Sequence, residues 1–133
     1  DMVTAHPRQD FLWEQTCFEI FIGVQGEDFY REINLSPSQA WQAYQFEEYR
    51  YPEEMPPQAA DDIELNQLKR THYGLNVSVD LTDFMATHKL KWENLFLGLS
   101  AVLKTSQGDQ YYAMQHSSPQ ADFHNKRDWL HVF

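Results

Sequence analysis

Hydrophobic and polar side chains alternate along much of this chain with the period of two that is typical of β-strands. The first such stretch is WEQTCFEIFIGV, residues Trp13–Val24. Its alternating positions divide into two sets, Phe18, Ile20 and Ile22 on one face and Cys17, Glu19 and Phe21 on the other. Because successive side chains of a strand point to opposite sides of a sheet, this apolar run predicts a buried strand.

A second strand is predicted directly after the turn Gly26–Asp28. In the segment Phe29–Leu35, one face carries Phe29, Arg31, Ile33 and Leu35, and the other carries Tyr30, Glu32 and Asn34. The short turn between two alternating segments predicts that they pair as a hairpin.

The middle of the chain is less regular. Ser36–Gln39 is a turn, and Trp41–Tyr49 is either a third strand or a short helix. The stretch from Glu47 to Asp62 is acidic and contains three prolines. Because proline removes a backbone donor and fixes φ, we predict a loop there, with its charges in solvent.

The second half of the chain carries four further strand patterns, Tyr73–Leu81, Leu95–Lys104, Gln110–His116 and Trp129–Phe133. The first of them has an apolar residue at every second position and is the clearest one-sided strand of the chain. Thr82–Asn94 has room for one helical turn, with Thr82 or Asp83 as its N-cap. Ser106–Asp109 contains a glycine and predicts a hairpin loop.

Six or seven strands with regular turns and no long amphipathic helix predict an all-β fold. We expect an antiparallel β-sandwich of the jelly-roll type, with an immunoglobulin-like sandwich architecture, as a single domain over residues 1–133. The expected core residues are Phe18, Ile20, Ile22, Leu75, Val77, Val79, Leu97 and Leu99.

The net charge and the composition limit the classes of partner that this protein can bind. Ten basic and twenty acidic residues give a net charge of −10, which repels nucleic-acid phosphates and anionic lipid surfaces. We therefore expect no nucleic acid and no membrane as partners. The single cysteine, Cys17, allows no internal disulfide, and its apolar surroundings in the sequence predict a packed, unreactive thiol.

No catalytic motif is present in the sequence. It has no GxSxG, no glycine-rich phosphate loop, no HExxH and no CxxC, and its six histidines lack tight metal-ligand spacing. We expect no catalysis, no metal site and no cofactor. Glu19 and Glu32 have the side-chain type of a glycosidase pair, but only their separation in space would test that role.

Two residues stand out as candidates for ligand binding. Glu19 lies in mid-strand among apolar neighbours, where a carboxylate is costly unless a partner or a ligand satisfies it. Trp13 lies at the start of the same strand pattern, where an indole either caps the core or stacks on a sugar ring. If Trp13 and Glu19 line one site, the segment Glu14–Cys17 has to bend. Tyr30, Glu32 and Asn34 add further polar groups.

Several segments resemble known domains. Leu12–Ile22, LWEQTCFEIFI, resembles the W-E-x-D-x-V-E-x-F-I stretch of family-nine carbohydrate-binding modules, which belong to the DOMON-like superfamily of sandwiches. Glu32–Arg50, Phe96–Lys104 and Pro119–Phe133 resemble a bacterial DOMON-like subfamily, including its D-F-H motif. Such domains carry several tens of residues before the W-E motif, whereas twelve residues precede Trp13 here. Either N-terminal strands of the sandwich are lacking, or part of the sheet lies outside this numbering.

The resemblance implies a soluble bacterial domain of the cytoplasm or the periplasm that binds carbohydrate or another small ligand. Trp13 and Glu19 match the sugar-contacting Trp and Glu of the family, and Thr16 replaces its Asp. Phe123 occupies the place of the second Trp platform, and Gln120 is the nearest candidate for a later polar contact.

Two alternatives remain open. Some relatives in this superfamily bind haem b, for which the available axial ligands here are Met85, Met114, His116 and His124. The other alternative is a scaffold or protein-interaction domain without a small ligand. The sequence assigns no oligomeric state.

Overall fold

The protein is an all-β sandwich built from antiparallel sheets, as predicted. The computed structural model describes residues 6–72, 74–105 and 108–113. Within these residues the strands are β1 Cys17–Val24, β2 Tyr30–Leu35, β3 Trp41–Phe46, β4 Glu64–Thr71, β5 Gly74–Asp80, β6 Leu95–Thr105 and β7 Gly108–Ala113. The helical segments are α1 Thr82–Thr87 and two 3₁₀ turns, Leu12–Glu14 and Trp92–Asn94. The expected strand Trp129–Phe133 lies outside the described residues.

Strand β1 lies at the centre of a five-stranded antiparallel sheet with the order β3-β2-β1-β6-β7. The predicted hairpin of β1 and β2 is confirmed, with Gly26 at a φ of 81° in its turn. Glu19 in the middle of β1 lies opposite Asn34 of β2 and opposite Ser100 of β6. Strands β4 and β5 form a separate two-stranded sheet.

The main core lies between the five-stranded sheet and a layer made of β4, β5 and α1. Ile22, Ile33 and Leu35 of the large sheet pack there with Phe84 of α1 and other buried residues. Of the eight expected core residues, Ile22 is fully buried, and the half-buried Phe18, Ile20, Leu75, Val77, Val79 and Leu97 pack against the cluster.

Leu99 is a correction to the expected core. It lies opposite the half-buried Ile20 in the register of β6 with β1, and it is 43% exposed. Alternation along β6 correctly predicts the face on which Leu99 lies. It does not predict burial, because the two-stranded layer covers only part of that face of the five-stranded sheet.

Three local features differ from the sequence-based expectation or resolve it. Trp41–Phe46 is a strand and not a helix. Strand β4 was not predicted, because a register shift between Leu65 and Gln67 breaks the alternation that would have revealed it. Helix α1 begins at Thr82 with Leu81 at the N-cap, so neither Thr82 nor Asp83 caps it; instead, the Thr82 backbone N–H donates to Asp80 Oδ1 at 2.8 Å.

One charge of the acidic loop is a structural partner and not a solvated group, contrary to the expectation for this loop. Arg31 on β2 donates through Nε and Nη2 to both carboxylate oxygens of Asp62, at 3.0 and 2.8 Å. Its guanidinium lies 4.9 Å from the ring centre of Phe84. The pair thus ties the end of the loop to the large sheet beside α1.

We expect Asp62→Ala to lower the free energy of unfolding by about 3–5 kcal/mol, because it leaves the buried charge of Arg31 without its carboxylate partner. Arg31→Met should cost less, since Asp62 is the more exposed partner, with 19% of its side chain accessible against 7% for Arg31. Urea unfolding of both variants checks this order. Equal losses, or a larger loss for Arg31→Met, would contradict it.

Candidate functional site

The face of the large sheet turned away from β4 and β5 is rich in buried polar groups. We call it the second face. Its members on the central strands are Cys17, Glu19 and Phe21 of β1, Tyr30, Glu32 and Asn34 of β2, and Ser100 and Val102 of β6, and all of them are buried. Because buried polar groups need hydrogen-bond partners, we expect those of the second face either to bond to each other or to be presented to a ligand.

The segment before β1 covers part of the second face. Arg8 donates from Nη2 to the Ala60 carbonyl at 2.7 Å and from Nε to Gln42 Oε1 at 2.7 Å. Asp10 accepts a 2.8 Å hydrogen bond from the Tyr44 hydroxyl. These contacts hold the segment against the edge of the sheet and fix the place at which it enters β1.

The 3₁₀ turn Leu12–Glu14 then folds Trp13 back over the sheet. Phe11 before it has a φ of 64°, and Leu12 is buried in a small cluster with Cys17 and Ala40. Gln15 and Thr16 then form a bend before β1 begins at Cys17, so the bend expected over Glu14–Cys17 is present. Trp13 is half-buried, with its ring centre 5.1 Å from Phe11 and 5.8 Å, edge-on, from Tyr44.

A cavity of about 800 Å³ opens between this turn, the second face and the loop after β3. Trp13, Glu19 and Glu32 all line it, so the structure brings together three of the residues predicted for the site. Its apolar walls are Trp13, Phe46, Pro52, Met55, Pro57 and Val102. A cavity of this size accommodates a small organic ligand.

Glu19 and Glu32 form a carboxyl pair at the buried side of the cavity. They are 7% and 5% exposed and hydrogen-bond to each other. Ser100 Oγ donates to Glu19 Oε1 at 3.0 Å. Burial, and after it the charge of Glu32, raise the pKa of Glu19 well above the ordinary glutamate value. Two carboxyl groups can hydrogen-bond only when one of them is protonated, and the raised pKa of Glu19 favours its protonated form.

Asn34 lies beside this pair, directly opposite Glu19. Its side chain is completely buried, and neither Nδ2 nor Oδ1 has a hydrogen-bond partner within the part of the chain that the structure describes. An unsatisfied buried amide costs about 1–3 kcal/mol. The second face therefore carries unused hydrogen-bonding capacity next to the carboxyl pair.

The other predicted contacts have different positions. Tyr30 is on the second face but not in the cavity wall, and its hydroxyl accepts a 3.0 Å hydrogen bond from the Arg50 backbone N–H, which positions the loop. Asn34 is likewise behind the wall. Phe123 and Gln120 lie outside the described residues.

Sequence reasoning missed the contributions of the loop after β3 and of β6. Arg50, Glu53, Glu54 and Met55 line the cavity from the loop, and Lys104 lines it from β6. A usable signal existed for Arg50, which is the only basic residue between Arg31 and Lys69. A lone cation in an acidic, proline-rich stretch suggests a fixed position near carboxylates.

No family model, curated protein or solved structure matches this chain. In the described ranges no three His, Cys, Asp or Glu side chains cluster to hold a metal ion, and no helix there has the length and apolar character to cross a membrane. Of the possible haem ligands, Met85 packs against the main core, away from the cavity. Met114, His116 and His124 lie outside the described residues.

The carboxyl pair should make stability depend on pH. Because the pKa of Glu19 is raised in the folded state, the folded protein binds more protons than the unfolded chain once the pH exceeds about 4.3, the ordinary glutamate value. The free energy of unfolding should then fall as pH rises through the raised pKa.

We expect Glu19→Gln, which cannot ionise, to flatten this dependence and to raise the thermal midpoint relative to the parent at about pH 8. Exposed Glu93→Gln, outside the cavity, serves as the matched control and should keep the parental slope. Thermal unfolding from about pH 5 to pH 8 measures both. A parental slope in Glu19→Gln would show that the pair is not the cause.

Proposed function

We propose that this domain is a non-catalytic ligand-binding module whose ligand is a carbohydrate. The observation that carries the proposal is the cavity that brings the Trp13 indole together with the Glu19–Glu32 pair. Sugars present apolar C–H faces and a ring of hydroxyl groups. An aromatic wall beside buried hydrogen-bonding groups complements both.

The protonated state of the pair suits hydroxyl groups. A carboxylate only accepts hydrogen bonds, whereas a pair that holds one proton can both donate and accept. Each sugar hydroxyl likewise donates one bond and accepts others. Glu19 and Glu32 can therefore bind neighbouring hydroxyls of one ring without leaving a buried group unsatisfied.

The arrangement of the pair favours binding over hydrolysis. Glycosidase carboxyls flank the scissile bond, about 5–9.5 Å apart, so that one can protonate while the other attacks or activates water. Glu19 and Glu32 instead extend from neighbouring strands of one sheet and hydrogen-bond to each other. Both groups would approach a bound sugar from the same side.

The resemblance to family-nine modules in a DOMON-like sandwich supports the same proposal. The Trp and Glu that contact sugar in that family match Trp13 and Glu19, and both residues line the cavity. The loop residues that line the cavity, Glu53, Glu54 and Met55, are exposed, so a short oligosaccharide that extends past them would reach solvent.

Substitution of Trp13 tests the proposal. We expect Trp13→Ala to weaken binding of a sugar identified on a glycan array by about 1–3 kcal/mol, the range of a lost stacking platform. Trp92→Ala is the matched control, because Trp92 is 54% exposed and outside the cavity. Isothermal titration gives the affinity, and thermal unfolding gives the stability of each variant.

Two results would contradict the proposal. One is a glycan array without hits for the parent protein, which would favour a scaffold role. The other is a loss of about 3–5 kcal/mol of stability in Trp13→Ala with unchanged sugar binding, which would make Trp13 a core cap alone.

A further inference from the structure

Most of the exposed large hydrophobic side chains belong to the two segments that enclose the cavity. In the part of the chain that the structure describes, the exposed large hydrophobic residues are Phe11, Tyr49, Tyr51, Met55, Trp92 and Leu99. The first four lie on the segment before β1 and on the loop after β3, next to or among the residues that line the cavity. An exposed apolar patch rimmed by polar groups marks a binding surface. The binding surface of this domain therefore extends beyond the cavity itself.

Phe11 lies beside the cavity wall on the segment before β1. Its side chain is 39% exposed, and its ring centre is 5.1 Å from that of Trp13, which lines the cavity. Its φ of 64° is a left-handed value that bulky residues rarely adopt. The Glu14 N–H donates to the Phe11 carbonyl at 3.1 Å and holds this conformation. Backbone strain of this kind is found at ligand clamps, and here it keeps an aromatic ring at the surface next to Trp13.

Tyr49 and Tyr51 lie on a tight turn at the loop side of the cavity. The Tyr51 N–H donates to the Glu48 carbonyl at 3.0 Å and closes the turn. The two tyrosines are 54% and 49% exposed, and Arg50 between them donates from Nε to the Tyr49 hydroxyl at 3.2 Å. Because Arg50 and Pro52 both line the cavity, the two tyrosine rings belong to its rim.

The charged groups between these rings favour a sugar chain over a protein surface. Charged residues are depleted at the centre of protein interfaces, whereas the loop tyrosines alternate with the exposed side chains of Glu48, Arg50 and Glu53. Sugar hydroxyls accept hydrogen bonds from cations and donate them to carboxylates. An aromatic ring covers the apolar face of one pyranose. Each exposed ring therefore adds a place for one more sugar.

We propose that the ligand is a glycan chain of three or more sugars, which crosses the mouth of the cavity and stacks on Phe11 at one side and on the loop tyrosines at the other. The inference rests on the proposed function and names the class of ligand, an oligosaccharide bound along its length and not a monosaccharide. The sugar between the two sides lies over Trp13. The affinity then rises with chain length until every ring is occupied.

Homologous series of sugars test this inference. The probes are glucose and N-acetylglucosamine with their β-1,4-linked oligomers up to the hexasaccharide, and the α-1,4-linked series of glucose. A glycan array identifies the series that binds, and isothermal titration gives the affinity for each length. We expect the hexasaccharide to bind at least about thirtyfold more tightly than the monosaccharide, beyond the about sixfold statistical gain of a chain with six equivalent sugars.

Removal of a rim ring should reduce the gain from chain length. Phe11→Gly deletes one ring and suits the positive φ, so the fold should be retained. Tyr51→Ala deletes a loop ring and keeps the Tyr49–Arg50 contact. Each variant should lose at least about fivefold more affinity for the hexasaccharide than for the disaccharide. Tyr51→Phe keeps the ring, and Trp92→Ala removes an exposed ring outside the cavity, so both controls should keep the parental dependence on length.

The outcomes separate the two proposals. A gain from chain length no larger than the statistical one overturns the inference of a bound chain and leaves carbohydrate binding standing. Binding of no member of any series overturns both. A parental dependence on length in both Phe11→Gly and Tyr51→Ala overturns the inference as well. An equal loss for the disaccharide and the hexasaccharide in both variants also overturns it, because the rings would then support the cavity and not the chain.

Discussion

Strand β1 has to be covered on both of its faces, and the rest of the structure depends on that constraint. Its six cross-strand pairs with β2 and eight with β6 place it at the centre of the large sheet. One face carries Phe18, Ile20, Ile22 and Val24, which the layer of β4, β5 and α1 covers. The other carries Cys17, Glu19 and Phe21, and no regular sheet covers that side within the described residues. The segment before β1 and the loop after β3 serve there instead.

A cover made of irregular chain leaves room for a cavity. The segment before β1 is fixed by Arg8 and Asp10 at the edge of the sheet, and the loop is fixed by the Tyr30–Arg50 contact. Between these anchors the buried carboxyl pair remains open to the cavity. Apolar packing at Glu19, Glu32 and Asn34 would be more stable.

The same arrangement links the stability of the domain to its proposed binding. Burial of the Glu19 carboxyl, whose pKa it raises, and of the Asn34 amide, which has no hydrogen-bond partner within the described residues, both cost free energy. A ligand that hydrogen-bonds to Glu19 and Glu32 in the cavity would recover part of that cost upon binding. Buried polar groups of this kind are therefore consistent with a site arranged for a ligand and not with optimal packing.

The sequence by itself determined which residues share a face. Period-two alternation placed Glu32 and Asn34 on one face of β2 and Glu19 on the face of β1 opposite Phe18 and Ile20, because neighbouring side chains of a strand must point to opposite sides of the sheet. The register of β1 with β2, which sets Glu19 opposite Asn34, came from the tertiary structure. The alternation also identified the hairpin and the described strands other than β3, which stayed open as a strand or a short helix, and β4, whose alternation a bulge interrupts. Tertiary structure alone decided how deeply each face is covered, and hence that Leu99 is exposed. It also decided that Asp62 pairs with Arg31. It also decided that the loop contributes Arg50 and Met55 to a cavity, because such contacts join residues far apart in the chain, which no local pattern encodes.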